Sequence, residues 1–220
     1  MSEPEHVLPL VVRLERATPP TRTAALEAAC LATLRMLTTD NPEWVSAVAR
    51  WEHGRIRKVV RRARGVAWDR AQALEGLTVE HGSAQVRVFP PIPIDSWPPE
   101  LARLQVEGTD LSDPAAPVPP EGGVPLILLS PRHEMTAGKA MAQAAHAAQL
   151  GWWSLGSEGR RVWQGAGFPL AVRAATASQW DAAVAAGAAV VTDGGLTEVE
   201  PGARTALFVI DSLTALRPGA

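Results

Sequence analysis

The chain carries its own pattern twice. Residues 9–34 align with 125–150 at an offset of 116 without a gap, with 8 identities in 26, four of them alanines. Residues 51–83 align with 163–195 at an offset of 112, with 10 identities in 33. These include Trp51/Trp163, Arg61/Arg173, the pair Trp68-Asp69/Trp180-Asp181 and Gly82/Gly194. A shared Trp-Asp and a further Trp at fixed distances do not follow from composition, so the chain reads as an internal duplication. Between the copies, residues 108–124 hold four prolines, three glycines and no periodic apolar pattern, which reads as a linker. The expected division is therefore a domain at 7–107, a Pro/Gly-rich linker at 108–124 and a second domain at 125–214.

Each half shows the same coarse order. A short apolar run (8–14; 125–130) reads as a buried strand, followed by an Ala-rich helical segment (21–37; 136–153). A second strand (55–63; 168–175) leads to a helix beginning near Ala67 or Ser178. Strands near 77–80 and 84–89, and near 188–192 and 205–210, complete the halves. Strands alternating with helices imply α/β architecture with right-handed crossovers. The expected fold is two tandem pseudo-symmetric three-layer α/β/α units, each a small mixed, mainly parallel sheet flanked by helices, like a dimer fused into one chain.

Composition removes several function classes. A formal net charge of −2 excludes a protein that binds nucleic acid over its whole surface, though not a local basic patch. Cys30 is the single cysteine, so no intrachain disulfide is possible. No apolar run approaches the roughly 18 residues of a membrane span, and MSEPEHVLPL lacks the basic and apolar regions of a signal peptide. A cytoplasmic, non-membrane protein is expected. Of 21 basic residues only Lys58 and Lys139 are lysines; with abundant Ala and no Tyr, this looks like GC-rich codon usage.

Two segments could carry chemistry. In MTAGKAMAQAAHAAQLGWW (135–153), Thr136 is a plausible N-cap, and Gly138 permits close approach in the first turn. Lys139, Gln143, His146 and Leu150 share one helix face, either a solvated stripe or the lining of a pocket. The segment is no phosphate loop, since Ala140 follows Lys139, and no zincin, since Ala137 stands where a second His is needed. No G-x-S-x-G elbow supplies a serine. In VVTDGGLTEVEPGARTALFVI (190–210), Asp193 ends a strand before two glycines, a common catalytic position and equally a common turn position. His6, His53 and His133 have no spacing that suggests a metal site.

Taken together, Gly138-Lys139…Gln143…His146-Ala147 and Asp193-Gly194-Gly195-Leu196-Thr197-Glu198…Pro201-Gly202-Ala203-Arg204-Thr205 resemble the archaeal/eukaryotic-type peptidyl-tRNA hydrolase family over roughly 125–214. The resemblance implies an esterase that frees tRNA from peptidyl-tRNA, on a small mixed-sheet α/β/α sandwich that usually dimerises and uses no metal or cofactor. It implies Lys139, His146, Asp193 and Thr205 as functional residues, with Gly138, Gln143, Gly194 and Thr197 lining the site. Family members generally have Lys where this chain has Ala137, a basic residue at Leu196 and Thr at Ala203. Each missing charge removes about 1 kcal/mol of phosphate contact at low salt.

In the first half Thr23, Glu27, Cys30 and His81 replace Lys139, Gln143, His146 and Asp193, so that half reads as catalytically dead, with His81 a turn residue. Yet residues 50–70 hold eight basic residues and two acids. Arg55, Arg57 and Arg61 are expected on one strand face, with Lys58 and Arg62 on the other. This strand reads either as a tRNA-binding surface beside Trp51 and Trp68 or as an edge strand charged against aggregation. Cys30 reads as packing, and Trp152-Trp153 as closing the helix end against the core. The whole reads as a monomeric peptidyl-tRNA hydrolase with an internal pseudo-dimer. The rival reading is a binding module for RNA or protein that kept the scaffold, and a third is an esterase for another acyl ester.

Overall fold

The computed structural model describes residues 4–120 and 122–210; the expected domain end at 211–214 lies outside them. In the first half the order is β1 (His6–Arg13), α1 (Arg22–Leu37), α2 (Pro42–Glu52), β2 (Arg57–Ala63), α3 (Val66–Gln72), β3 (Leu77–His81), β4 (Ala84–Val88), β5 (Ile92–Pro93) and α4 (Pro99–Ala102). The second half runs β6 (Leu126–Leu129), α5 (Ala137–Ser154), α6 (Ser157–Gly165), β7 (Ala171–Ala174), α7 (Ala177–Ala185), β8 (Ala189–Thr192) and β9 (Arg204–Val209).

Two mixed sheets result, ordered β2-β1-β4-β3, with β5 beside β1, and β7-β6-β9-β8. Only β1/β2 and β6/β7 are parallel; the other pairings are antiparallel. The expectation of mainly parallel sheets is thus corrected for the pairings, though three of the four main strands of each sheet run the same way. Helices join β1 to β2 and β2 to β3, and likewise β6 to β7 and β7 to β8, while β4 and β9 insert antiparallel between strands of like direction. His81 then pairs with Ala84 across a tight turn in which Gly82 has φ +53°, and strands joined so closely run antiparallel.

Two local features recur at the 112-residue offset. The Trp51 indole donates to the Arg57 carbonyl at 2.9 Å, and the Trp163 indole to the Pro169 carbonyl at 2.9 Å. Ile56 and Phe168, each between its Trp and the following strand, have φ of 49° and 62°, unusual for branched or bulky residues. The 116-residue offset is less faithful. Leu8, Leu10 and Val12 face the large core, as do Ile127 and Leu129, whereas Val11 and Leu128 face away. Leu10 therefore corresponds to Ile127, because a one-residue slip turns every strand side chain to the wrong face.

The layers follow from that alternation. Helices α3 and α4 cover the outer face of the first sheet through Trp68, Ala71 and Leu101; α7 covers that of the second through Trp180. Between the sheets lie α1 and α5, packed on one another, and a single apolar cluster runs through both halves. Both helices are lined with buried alanines, among them Ala25, Ala28, Ala29 and Ala32 in α1 and Ala140, Ala144, Ala147 and Ala148 in α5. Small side chains let two helix backbones approach closely. The two expected three-layer units are therefore fused through a shared helical layer. Helices α2 and α6, not anticipated from the sequence, add Val48, Trp51 and Trp163 to the same cluster.

Residues 108–120 are no free linker either. Leu111 enters the large core, the Ser112 carbonyl accepts the Arg22 N–H at 3.2 Å, and Asp113 accepts the Thr23 N–H at 2.9 Å and its hydroxyl at 2.8 Å. A carboxylate at the start of α1 satisfies orphan donors and favours the helix dipole.

Two outcomes test this packing. Gly151 lies in α5 where a Cβ would run into the Phe208 ring. Gly151→Ala is expected to lower unfolding stability by about 2 kcal/mol despite better helix propensity; an unchanged or higher urea midpoint would contradict the contact. Residues 108–220 expressed alone expose the apolar face of α5 and are expected to self-associate or unfold without cooperativity. A monomeric fragment with a sharp transition would show two separate cores.

Candidate active site

A cleft of about 480 Å³ opens where the two halves meet. One wall is β2 with the turn before it, from the first half; the other is α5, β8 and the loop after β8, from the second. Gly138, Lys139, Gln143, His146, Asp193, Gly194 and Thr197 all line it, with Arg55, Arg57 and Lys58 opposite. The stripe Lys139, Gln143, His146 and Leu150 is therefore cleft lining. Thr205 is fully buried behind Gln143.

Local sequence sets this geometry. Thr136 caps α5, its hydroxyl accepting the Lys139 N–H at 3.3 Å. Asp193 follows the last residue of β8, and its own N–H and C=O close the base of the next loop on Ala203 and Gly202 at 2.8 and 2.9 Å. Glu198, carried on that loop, returns to the start of α5, accepting the Thr136 N–H at 2.8 Å and its hydroxyl at 2.7 Å. The loop is thereby fastened to the helix that carries Lys139.

On the cleft floor one hydrogen-bonded chain holds the polar groups. The Thr205 hydroxyl donates to Gln143 Oε1 at 2.5 Å, and Gln143 Nε2 donates to Asp193 Oδ2 at 2.8 Å. Lys139 Nζ donates to the same Oδ2 at 2.6 Å and to the Thr197 hydroxyl at 2.8 Å. The Gly195 N–H reaches Asp193 Oδ1 at 2.8 Å. The Lys139 and Asp193 side chains are only 10% and 9% exposed, so the added hydrogen bonds matter in offsetting desolvation of the pair. An ammonium has three donors and a carboxylate about four acceptor positions. Lys139 uses two and Asp193 three of these, so that among the described residues one Lys139 donor and one acceptor position on Asp193 Oδ1 have no partner.

His146 stands deeper along the same helix. Its Nδ1 is 3.1 Å from Lys58 Nζ, which donates to Gln149 Oε1 at 2.5 Å and sits 4.8 Å from the Trp51 ring centre. Burial, then the nearby Lys58 and Lys139 charges, push His146 well below the usual imidazole range. Burial likewise pushes Lys58 well below the usual lysine range.

The basic strand divides. Arg55 precedes β2, beyond the left-handed Ile56, and does not share the strand's alternation as expected. Arg57 lies 4.0 Å from Glu5 at the cleft. Lys58, 7% exposed, points into the protein rather than toward solvent. Arg61 donates to the Ala102 and Leu104 carbonyls and stacks on Trp97; Arg62 donates to the Glu107 carbonyl and to Gln105. Neither lines the cleft.

His81 is more than a turn residue. Its Nε2 is 2.9 Å from Glu27, which also accepts from Arg173 at 2.7 Å and from the Val172 N–H at 3.1 Å. Burial raises Glu27, but these partners outweigh it and hold the carboxyl below its ordinary range. Glu27 and His81 occupy the places that Gln143 and Asp193 hold in the second half. Cys30 is fully buried, as read from the sequence.

Three contributors escaped the sequence reading: Gln149, Glu198 and Trp51 in its contact with Lys58. Gln149, one of few polar residues in an Ala-rich helix, offered a signal by its composition. Glu198 lay within the quoted motif, whereas the Trp51–Lys58 contact depends on the turn through Ile56. Among the described residues no cluster of three or more His, Cys, Asp or Glu is placed to hold a metal ion, and no helix is long and apolar enough to cross a membrane. No model of a known protein family matches the chain, and no curated protein matches it.

The environment of His146 gives a pH dependence. Its folded-state pKa is depressed, so below the ordinary imidazole range the unfolded chain binds a proton that the folded chain refuses. Stability is then lost as pH falls from about 6.5 toward the lowered folded value. His146→Gln is expected to remove that component, so that urea midpoints of wild type and variant converge as pH falls below 6.5. A constant difference between them from pH 7.5 to 5 would refute the assignment.

Proposed function

We propose that the protein hydrolyses the ester between a peptide, or an N-blocked aminoacyl group, and tRNA in the cytoplasm, recycling the tRNA. The observation that carries this reading is the Lys139–Asp193 pair, with a donor and an acceptor position unpartnered among the described residues, in the cleft that His146 also lines. A water donating to the open position on Asp193 is oriented, or deprotonated, for attack on the ester carbonyl. The free Lys139 N–H faces the carbonyl oxygen as it gains negative charge. The C–O bond to the ribose then breaks, and the proton taken from water ends on the ribose oxygen. Thr205 and Gln143 hold Asp193 in place, while Thr197 holds Lys139. Arg55 and Arg57, on the opposite wall, are placed for the phosphates of the acceptor stem.

We propose further that the first half is a degenerate duplicate replacing the partner subunit of a homodimer, so the protein is a monomer. The matching strand orders, the paired Trp hydrogen bonds and the paired left-handed residues support this. A second reading, a binding module with little turnover, draws support from Ala137 and Ala203, buried and uncharged where the family carries Lys and Thr, and from exposed Leu196.

Release of a labelled N-acetyl-aminoacyl group from its tRNA tests the reading. Lys139→Ala and Asp193→Ala are each expected to lower turnover by about two to three orders of magnitude with the fold unchanged; near-normal rates in both would discard the assignment. Rates limited by tRNA binding should fall steeply with salt, whereas salt-independent cleavage indicates a small acyl ester as substrate. Salt-sensitive tRNA binding without wild-type turnover would establish the binding module.

A further inference from the structure

The one lysine of the first half is spent inside the protein, on the second half's histidine. Lys58 comes from β2, and its ammonium nitrogen meets His146 Nδ1 at 3.1 Å and Gln149 Oε1 at 2.5 Å, both on α5. It lies over the Trp51 ring at 4.8 Å, a face that attracts a cation. Gln149 is fully buried and directs its oxygen at the lysine, while its Nε2 has no partner among the described residues. A solubilising or phosphate-binding lysine has no need of a buried glutamine oxygen and a tryptophan face.

We infer that Lys58 is a positioning residue for His146, its ammonium donating to Nδ1 and so fixing the imidazole as the tautomer that carries its proton on Nε2. The inference rests on the reading of this cleft as the reactive one. The Gln149 oxygen and the Trp51 face hold Lys58 as an ammonium against the burial that lowers its pKa; an ammonium has donors and no lone pair, so the ring nitrogen facing it accepts. A neutral imidazole has one accepting and one donating nitrogen; with Nδ1 accepting, Nε2–H is left as the donor. His146 is then a fixed hydrogen-bond donor at the cleft wall, able to polarise a carbonyl or hold the attacking water. Asp193 is left as the group that takes the water's proton.

Lys139, on the same helix, acts on His146 with the same sign as Lys58, so two cations oppose imidazolium formation. Glu52 of α2 favours the Lys58 charge, while Cys30 of α1 is a buried thiol held neutral with its pKa raised well above the usual range. The site is thus completed across the two halves: the half without the reactive set supplies the group that sets the protonation of the other half's histidine.

Nitrogen-detected NMR of the imidazoles tests this in the intact chain without any substrate, with Lys58→Met and Lys58→Gln beside the wild type and His146→Gln to assign the signal. In wild type the His146 ring is expected as the Nε2–H form, staying neutral below the ordinary imidazole range. In Lys58→Met the two tautomers are expected to mix and the titration midpoint to rise. Lys58→Gln, which keeps a donor without the charge, is expected to keep the tautomer but raise the midpoint. It also serves if the methionine variant fails to fold. An unchanged tautomer and midpoint in a folded variant, or a wild-type ring protonated on Nδ1, would overturn the inference. Where the wild type hydrolyses N-acetyl-aminoacyl-tRNA, Lys58→Met is expected to reduce kcat about tenfold with KM little changed and to move the acid limb of the pH profile upward. Absence of wild-type turnover with the NMR result intact would refute the hydrolase reading and leave the Lys58–His146 coupling standing.

Discussion

The close approach of α1 and α5 governs the rest of the molecule. Each helix covers one sheet, and each then covers the other, so the central apolar cluster belongs to neither half. Alanine makes this possible: bulkier side chains along both helices would hold the backbones apart and separate the sheets. The pairing also decides where polar residues can go. A helix packed on a sheet and on a second helix has only a narrow edge left, and along α5 that edge holds Lys139, Gln143 and His146.

That edge faces β2, the edge strand of the other half's sheet, whose outer side is bridged to Gln105 at Arg62. The cleft in such an arrangement is composite, with a helix from one half and an edge strand from the other. The corresponding place on α1 shows the alternative outcome. There Glu27 is gripped by His81, by Arg173 and by a backbone amide of β7, and Arg173 is held in turn by the Val118 carbonyl. Similar geometry therefore gives the polar floor of a cleft in one half and a cluster of mutually bonded side chains in the other. The difference lies in a few side chains: a carboxylate and imidazole that satisfy one another, against a lysine and aspartate that retain open positions.

Much of this was legible in the sequence. Apolar runs and Ala-rich segments located the first strand and long helix of each half, and the spacing of Lys139, Gln143 and His146 put them on one face. The Asp193 loop and its strand were equally local signals. What escaped was non-local. Parallel pairing was over-expected because alternation of strand and helix sets strand direction and not which strands are neighbours: β4 and β9, each antiparallel to the strand before it, come between strands that run the same way. The strand offset slipped by one because identities were counted without regard to the face each residue takes. Lys58 read as surface charge since its partners, Gln149 and His146, lie some ninety positions away. Leu111 and Asp113 were hidden in a Pro/Gly-rich stretch whose composition says nothing of where it docks.

A composite cleft also bears on heredity. After a duplication, the copy that loses its reactive side chains is ordinarily released to drift. If the first half is the degenerate copy proposed above, release is incomplete: Thr23, Cys30 and their neighbours are free of chemical duty, but β2, Trp51 and the left-handed Ile56 are not, because the other half leans on them. Substitutions in the silent half would then be judged partly by what happens in the working half. Such epistasis would make β2 and its approach the slowest-changing part of the silent half, and would oppose any return to two independently folding copies.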